Sequence, residues 1–136
     1  MNAHSQLVAA KLTVPDPSHI LLYVESAAAS AAFYGDLLGR PPVESSPAFA
    51  MFVLTSGVKL GLWTRHTVEP AATTGTGGSE IAIAVADADT LRALHADWVR
   101  RGLPIAQPPT DMDFGRTFVA LDPDGHRLRV FVPAGA

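Results

Sequence analysis

The sequence predicts an α+β domain of two tandem βαβββ units, which form a curved mixed sheet around a central cavity with the helices outside. Three observations predict it. Residues 19–63 and 80–131 share one plan: a short apolar strand, an amphipathic helix and a closing hairpin. The two hairpins overlay, so that Leu54 matches Leu121, Gly57 matches Gly125, Leu60 matches Leu128 and Gly61 matches Arg129. Neither unit of about 50 residues would bury a core alone, so the two must associate.

Residues 1–17 read as an N-terminal tail, and the first unit spans residues 18–65. Its opening strand, Ile20-Leu21-Leu22-Tyr23-Val24, follows Pro15 and Pro17. Ser26 is the expected N-cap of a helix on which Phe33, Tyr34, Leu37 and Leu38 recur at helical spacing, and Gly39 stops it. Pro41 and Pro42 keep the chain extended into a weakly marked strand near residues 43–45. Residues 49–54 and 58–63 then form two strands around a turn at Ser56-Gly57.

A linker of residues 66–78 carries Pro70, Gly75, Gly77 and Gly78 and no periodicity, which predicts a mobile loop. The second unit, residues 79–133, repeats the order. Ile81-Ala82-Ile83-Ala84-Val85 is a strand. Asp89 is the expected cap of a helix whose Leu91, Leu94, His95, Trp98 and Val99 share one face, and Gly102 ends it. A weak strand is expected near residues 105–107. Pro108 and Pro109 then mark a long loop, with residues 108–116 closing over the pocket. Residues 117–121 and 126–132 form the last hairpin across Asp122-Pro123-Asp124-Gly125.

Bulk properties narrow the function classes. A chain of 136 residues is one ordinary domain, able to bury roughly 68% of its unfolded surface. Its formal charge of −3, with no Lys/Arg run, argues against a nucleic-acid partner. The absence of cysteine excludes disulfides, thiolate metal sites and a Cys nucleophile. No apolar run reaches the roughly 20 residues of a membrane span, and residues 1–13 lack the apolar core of a secretory signal. A cytoplasmic protein without a membrane partner is expected.

Strand alternation sorts the side chains into two faces. Leu60, Leu62, Leu128, Val130 and Val132 should pack beneath the helices, with Ile20, Leu22, Val24, Ile81, Ile83 and Val85. That leaves His19, Leu21, Tyr23, Lys59, Gly61 and Trp63, with Glu80, Ala82, Ala84, Arg127, Arg129 and Phe131, on the concave side. Small residues there leave room, aromatic ones offer flat apolar surface, and His19, Glu80 and Arg129 supply polar anchors. A mostly apolar hollow with a few placed polar groups suits a small molecule.

The strand opened by His19, the helix ending Phe33-Tyr34-Gly35-Asp36-Leu37-Leu38-Gly39 and the closing Asp122-Pro123-Asp124-Gly125-His126-Arg127-Leu128-Arg129-Val130 resemble the vicinal oxygen chelate superfamily. That group includes glyoxalase I, extradiol dioxygenases and bleomycin-resistance-like binding proteins. The likeness covers residues 18–133. In its metal-dependent members, four His, Glu or Gln ligands come from two strands of each unit, and the resemblance carries those positions to His19, Gly61, Glu80 and Arg129. Gly61 has no ligating atom, and the Arg129 guanidinium stays charged and offers no lone pair. Two candidate ligands are too few for a catalytic zinc or a hard divalent ion. No metal, cofactor or catalytic residue is expected. Glu80 and Arg129 should instead pair with each other or meet a ligand.

Residues 48–54, followed by Lys59-Leu60-Gly61-Leu62-Trp63, resemble the phenazine-resistance branch most. The expected function is binding and sequestration of a planar aromatic small molecule such as a phenazine antibiotic. Trp63 would provide stacking, with Phe52, Phe114 or Phe118 nearby, each good aromatic pair adding about 0.5–1.5 kcal/mol. Met51 and Met112 would be adaptable walls, Gly61 would leave space beside the indole, Arg129 would meet a ligand acceptor, and Glu80 and His19 would complete the site. One alternative is a glyoxalase-like lyase or dioxygenase with a divergent metal site, drawing a ligand from His66 or His126, or a metal-free enzyme using His19 or Glu80 as base. Another is a module whose pocket is vestigial. The resemblance further implies a homodimer, by exchange of units or not, with pockets built from both chains.

Overall fold

The computed structural model describes residues 12, 13 and 15–135. The expected N-terminal tail therefore lies largely outside the described residues. The first unit comprises β1 (His19–Val24), α1 (Ala27–Leu38), β2 (Glu44–Ser45), β3 (Phe49–Val53) and β4 (Lys59–Thr64). A short 3-10 turn, Arg65–Thr67, opens the linker. The second unit comprises β5 (Glu80–Ala84), α2 (Ala88–Arg100), β6 (Ile105–Met112), β7 (Gly115–Leu121) and β8 (Arg127–Pro133). The two βαβββ units make two separate four-stranded sheets, ordered β1-β4-β3-β2 and β5-β8-β7-β6. In each, the opening strand runs parallel to the closing one and the remaining pairs are antiparallel.

Local chemistry sets the helix ends. The Ser26 hydroxyl accepts from the Ala29 N–H at 3.1 Å and caps α1. Gly39, at φ 69°, closes it in the left-handed conformation that other residues resist. The cap of α2 is Asp87 rather than Asp89. The Asp87 carboxylate accepts from the Thr90 N–H and hydroxyl, both at 2.7 Å, and these bonds hold its pKa below the usual carboxylate value. Asp89 sits in the first turn and pairs with Arg92 instead.

The stretch read as a long loop after residue 107 is strand. β6 runs through Pro108 and Pro109 to Met112, and only Asp113 and Phe114 separate it from β7. Proline lacks an N–H for a ladder, yet β6 is the edge of its sheet and its pairing shifts register between Gln107 and Thr110. Gly115, at φ 138°, is required at this turn, because a Cβ there would collide with the Val132 carbonyl oxygen. A β-hairpin arm stands where a loop closing over the pocket was expected.

Leu22, Val24, Leu60, Leu62, Leu128 and Val130 form the core together with Leu91 and Trp98 from α2. Burying each aliphatic side chain contributes roughly 1.5–3 kcal/mol. Ile20 shares their face but is 46% exposed, since it borders an apolar space of about 230 Å³ between the units, lined also by Tyr34, Leu60, Ile81 and Leu128.

Hydrogen bonds from one hairpin tie the units together. The turn between β7 and β8 reaches back to the junction of β1 and α1. The Tyr34 hydroxyl donates to Asp122 Oδ2 at 2.7 Å, and Asp122 Oδ1 accepts from the Asp124 and His126 N–H groups. Asp124 accepts from the Glu25 N–H at 3.0 Å and the Ser30 hydroxyl at 3.3 Å. His126 is buried, its Nδ1 taking the Ser79 N–H and its Nε2 lying 3.1 Å from the Tyr23 carbonyl oxygen. These side chains serve the turn and also lock the relative placement of the sheets.

Candidate functional site

Strand register lays out the open face of the first sheet as a grid. Tyr23 lies opposite Trp63, which lies opposite Phe49, so three aromatic residues form a row across β1, β4 and β3. One step along, Leu21, Gly61, Met51 and Glu44 form a second row reaching β2, and His19 and Lys59 begin a third. The Tyr23 and Trp63 rings are 6.3 Å apart at 84°, and the Trp63 and Phe49 rings are 6.3 Å apart at 89°. An open depression of about 510 Å³ on this face is lined by His19, Leu21, Glu44, Phe49, Met51 and Trp63.

The second sheet's open face differs. Arg129 lies across it and spends four of its five N–H bonds on the protein. Its Nε and Nη2 donate to Glu80 Oε2 and Oε1 at 3.0 and 3.3 Å, while Nη1 donates to Gln107 Oε1 at 3.2 Å and Thr117 Oγ1 at 3.3 Å. Phe114, from the hairpin tip, covers the guanidinium at 5.5 Å and meets Phe131 edge-on at 6.0 Å. A depression of about 310 Å³ here is lined by Gln107, Met112, Val119, Arg127 and Arg129 among others.

The expected site residues thus separate. His19, Met51 and Trp63 line the first depression, with Gly61 buried between the Leu21 and Phe49 side chains. Glu80, Arg129, Met112 and Phe114 belong to the second sheet's face. Phe52 and Phe118 belong to neither. Both are 0% exposed in the core, because antiparallel register sets Phe52 opposite Leu60 and Phe118 opposite Val130, on the helix-facing side. The expected space beside Gly61 is also taken: a Cβ there would collide with Leu21 Cδ2 and come within 3.0 Å of Phe49 Cζ. Phe49 and Glu44 were not singled out from sequence. The pairing of β3 with β4 and β2 brings them onto this face, and alternation along one strand carries no such information.

The four positions that correspond to a metal set do not fit a metal. Among the described residues no group of three or more His, Cys, Asp or Glu side chains converges. Leu21 and Phe49 occupy the space at Gly61, and Glu80 is engaged by a cation of the protein's own. Arg129 and Glu80 balance each other's charge where an ion would otherwise demand donors. Among the described residues no helix is long and apolar enough to cross a membrane.

Paired βαβββ units with open sheet faces define a glyoxalase-like fold. The sequence profile of the Glyoxalase/Bleomycin resistance protein/Dioxygenase superfamily matches residues 17–130, and the chain belongs to that family. It is 31% identical over 118 residues to the phenazine antibiotic resistance protein EhpR of Enterobacter agglomerans, covering 84% of this chain and 89% of that one. It is 49% identical to protein ATC0852 of Agrobacterium tumefaciens, whose solution structure superimposes with a TM-score of 0.81 over 90% of this chain and all of that one. A glyoxalase/bleomycin resistance protein/dioxygenase from Nocardioides, 22% identical, shares the fold with a TM-score of 0.79, covering 98% of this chain and 93% of that one.

Proposed function

We propose that this protein binds and sequesters a planar aromatic small molecule of the phenazine class, without a metal and without turning it over. The observation that carries this reading is the row Tyr23–Trp63–Phe49, of which Trp63 and Phe49 line an open depression together with Leu21, Met51, His19 and Glu44. The relative of E. agglomerans named for phenazine resistance supports it. A flat tricyclic molecule would be held by area burial plus about 0.5–1.5 kcal/mol for each well-placed ring pair. Met51 offers an adaptable wall and His19 a hydrogen-bonding group at the margin, where it already bonds the Ser18 hydroxyl at 2.7 Å.

The proposal includes a homodimer whose pockets combine the first sheet of one protomer with the second sheet of its partner. The two half-sites lie on separate sheets of one chain, each open, and Leu21, Met112 and Phe114 are more than 40% exposed on them. Arg129 then stiffens the second wall rather than seizing a ligand carboxylate, since Glu80 has neutralised it.

Titration with a phenazine, read by tryptophan fluorescence, tests the reading. Quenching should be saturable in the wild type and in Trp98→Ala, whose indole is buried in the core, and should vanish in Trp63→Ala. Quenching that survives Trp63→Ala but is lost in Trp98→Ala would refute it.

A further inference from the structure

Glu44 is the charged residue lining the first depression, in the same row as Met51, Gly61 and Leu21. Glu25, Glu80, Asp97 and Asp111 each meet an arginine of the chain, whereas Glu44 forms no ion pair among the described residues. Its carboxylate thus stands beside an aromatic row with its charge uncompensated. The row is not one flat plate, either. Phe49 and Trp63, the two rings that line the depression, stand at 89° to each other and make a right-angle corner whose ring faces attract a cation from two sides.

We infer that the planar ligand of this face carries a cationic nitrogen, seated between the aromatic row and Glu44. This inference rests on the reading of that face as the site for a planar aromatic molecule. Cation–π attraction to the rings and charge pairing with Glu44 act together on such a ligand. A ligand carboxylate at the same place would be repelled by Glu44. Nor does the lining of that depression include an arginine or a lysine to compensate it, and Arg129 of the second sheet is already paired with Glu80. Lys59 stands one row further along β4, beside His19, and does not line the depression with Glu44.

Acridine and 10-methylacridinium are a matched pair of tricyclic probes, neutral and cationic at about pH 8, that differ by one methyl group and one charge. In calorimetric titrations of the full chain at low salt, 10-methylacridinium should bind at least about tenfold more tightly than acridine, a difference of about 1.4 kcal/mol. In Glu44→Gln the ratio should fall to within about twofold of one. In Glu69→Gln, which removes a carboxylate from the linker with the same change in net charge, the tenfold ratio should persist. Equal affinities in the wild type, or a preference that survives Glu44→Gln, would overturn the inference while leaving the aromatic site standing. Failure of both probes to bind would overturn the reading of the face itself, and the inference with it.

Discussion

Replacing Tyr34 with phenylalanine removes one oxygen from the bond network that joins the two units. Tyr34 is 1% exposed and its hydroxyl is the donor to Asp122 Oδ2 at 2.7 Å, while Asp122 itself is only 4% exposed. The other carboxylate oxygen already accepts two N–H groups of its own turn, so neither can move to compensate. A hydrogen bond to a charged group contributes about 1.5–3 kcal/mol, and a buried acceptor left unpaired incurs a similar penalty. Tyr34→Phe should therefore destabilise the protein by about 2 kcal/mol and lower the Tm by roughly 5–8 °C. Urea denaturation followed by circular dichroism measures it; a loss below about 0.5 kcal/mol would refute the role given to this bond.

The same residue predicts an alkaline limit. Burial, reinforced by the bond to Asp122 and that carboxylate's charge, pushes the Tyr34 phenol far above its ordinary value. In the unfolded chain the phenol titrates near about pH 10, and in the fold it stays protonated well beyond that. The folded state thus binds the extra proton, so the contribution is fully present below about pH 10. It falls by about 1.4 kcal/mol per pH unit above that point. Tyr34→Phe should lose this part of the slope, and identical slopes above pH 10 would contradict the assignment.

Three other perturbations bear on the site. Incubation with Zn²⁺, Mn²⁺ or Ni²⁺ should give no saturable rise in Tm, and a rise of several degrees at micromolar metal would contradict the misfit of the donor set. Glu80→Gln should destabilise the fold by about 1–2 kcal/mol, because it withdraws the charge facing a guanidinium that is only 16% exposed; a melting curve identical to wild type would count against the pairing. Gly115→Ala should cost at least about 2 kcal/mol in urea, since a methyl group at φ 138° has the Val132 carbonyl in its way. An unchanged urea midpoint would show that the hairpin arm adapts freely.

Much of the architecture is legible in the chain because burial on one side of a strand imposes a period of two. Leu22, Val24, Leu60, Leu62, Leu128 and Val130 are buried, as strand alternation predicts. The helix of the first unit is equally plain, with Ser26 and Gly39 at its ends. What escapes is information held between strands. Phe52 looks like a companion of Trp63, yet antiparallel register sends Phe49 and Met51 to Trp63's face and Phe52 to the other. Two consecutive prolines look like a loop until the sheet order makes their strand an edge, where a missing N–H costs little. The hairpin of Asp122 and Asp124 reads as a turn and nothing more, because its partners Ser30 and Tyr34 lie about 90 residues earlier. The cap of the second helix, expected at Asp89, falls at Asp87, the residue whose backbone takes the extended conformation.

The role of the aromatic row is tested most directly by a crystal structure of the protein grown with a phenazine. The account predicts the tricyclic ring within van der Waals contact of Trp63 and at least one of Tyr23 and Phe49, with one edge directed toward Glu44 and no metal ion at His19 or Glu80. A phenazine seated instead in the apolar space between the units, or bound through a metal ion held by His19, would contradict it.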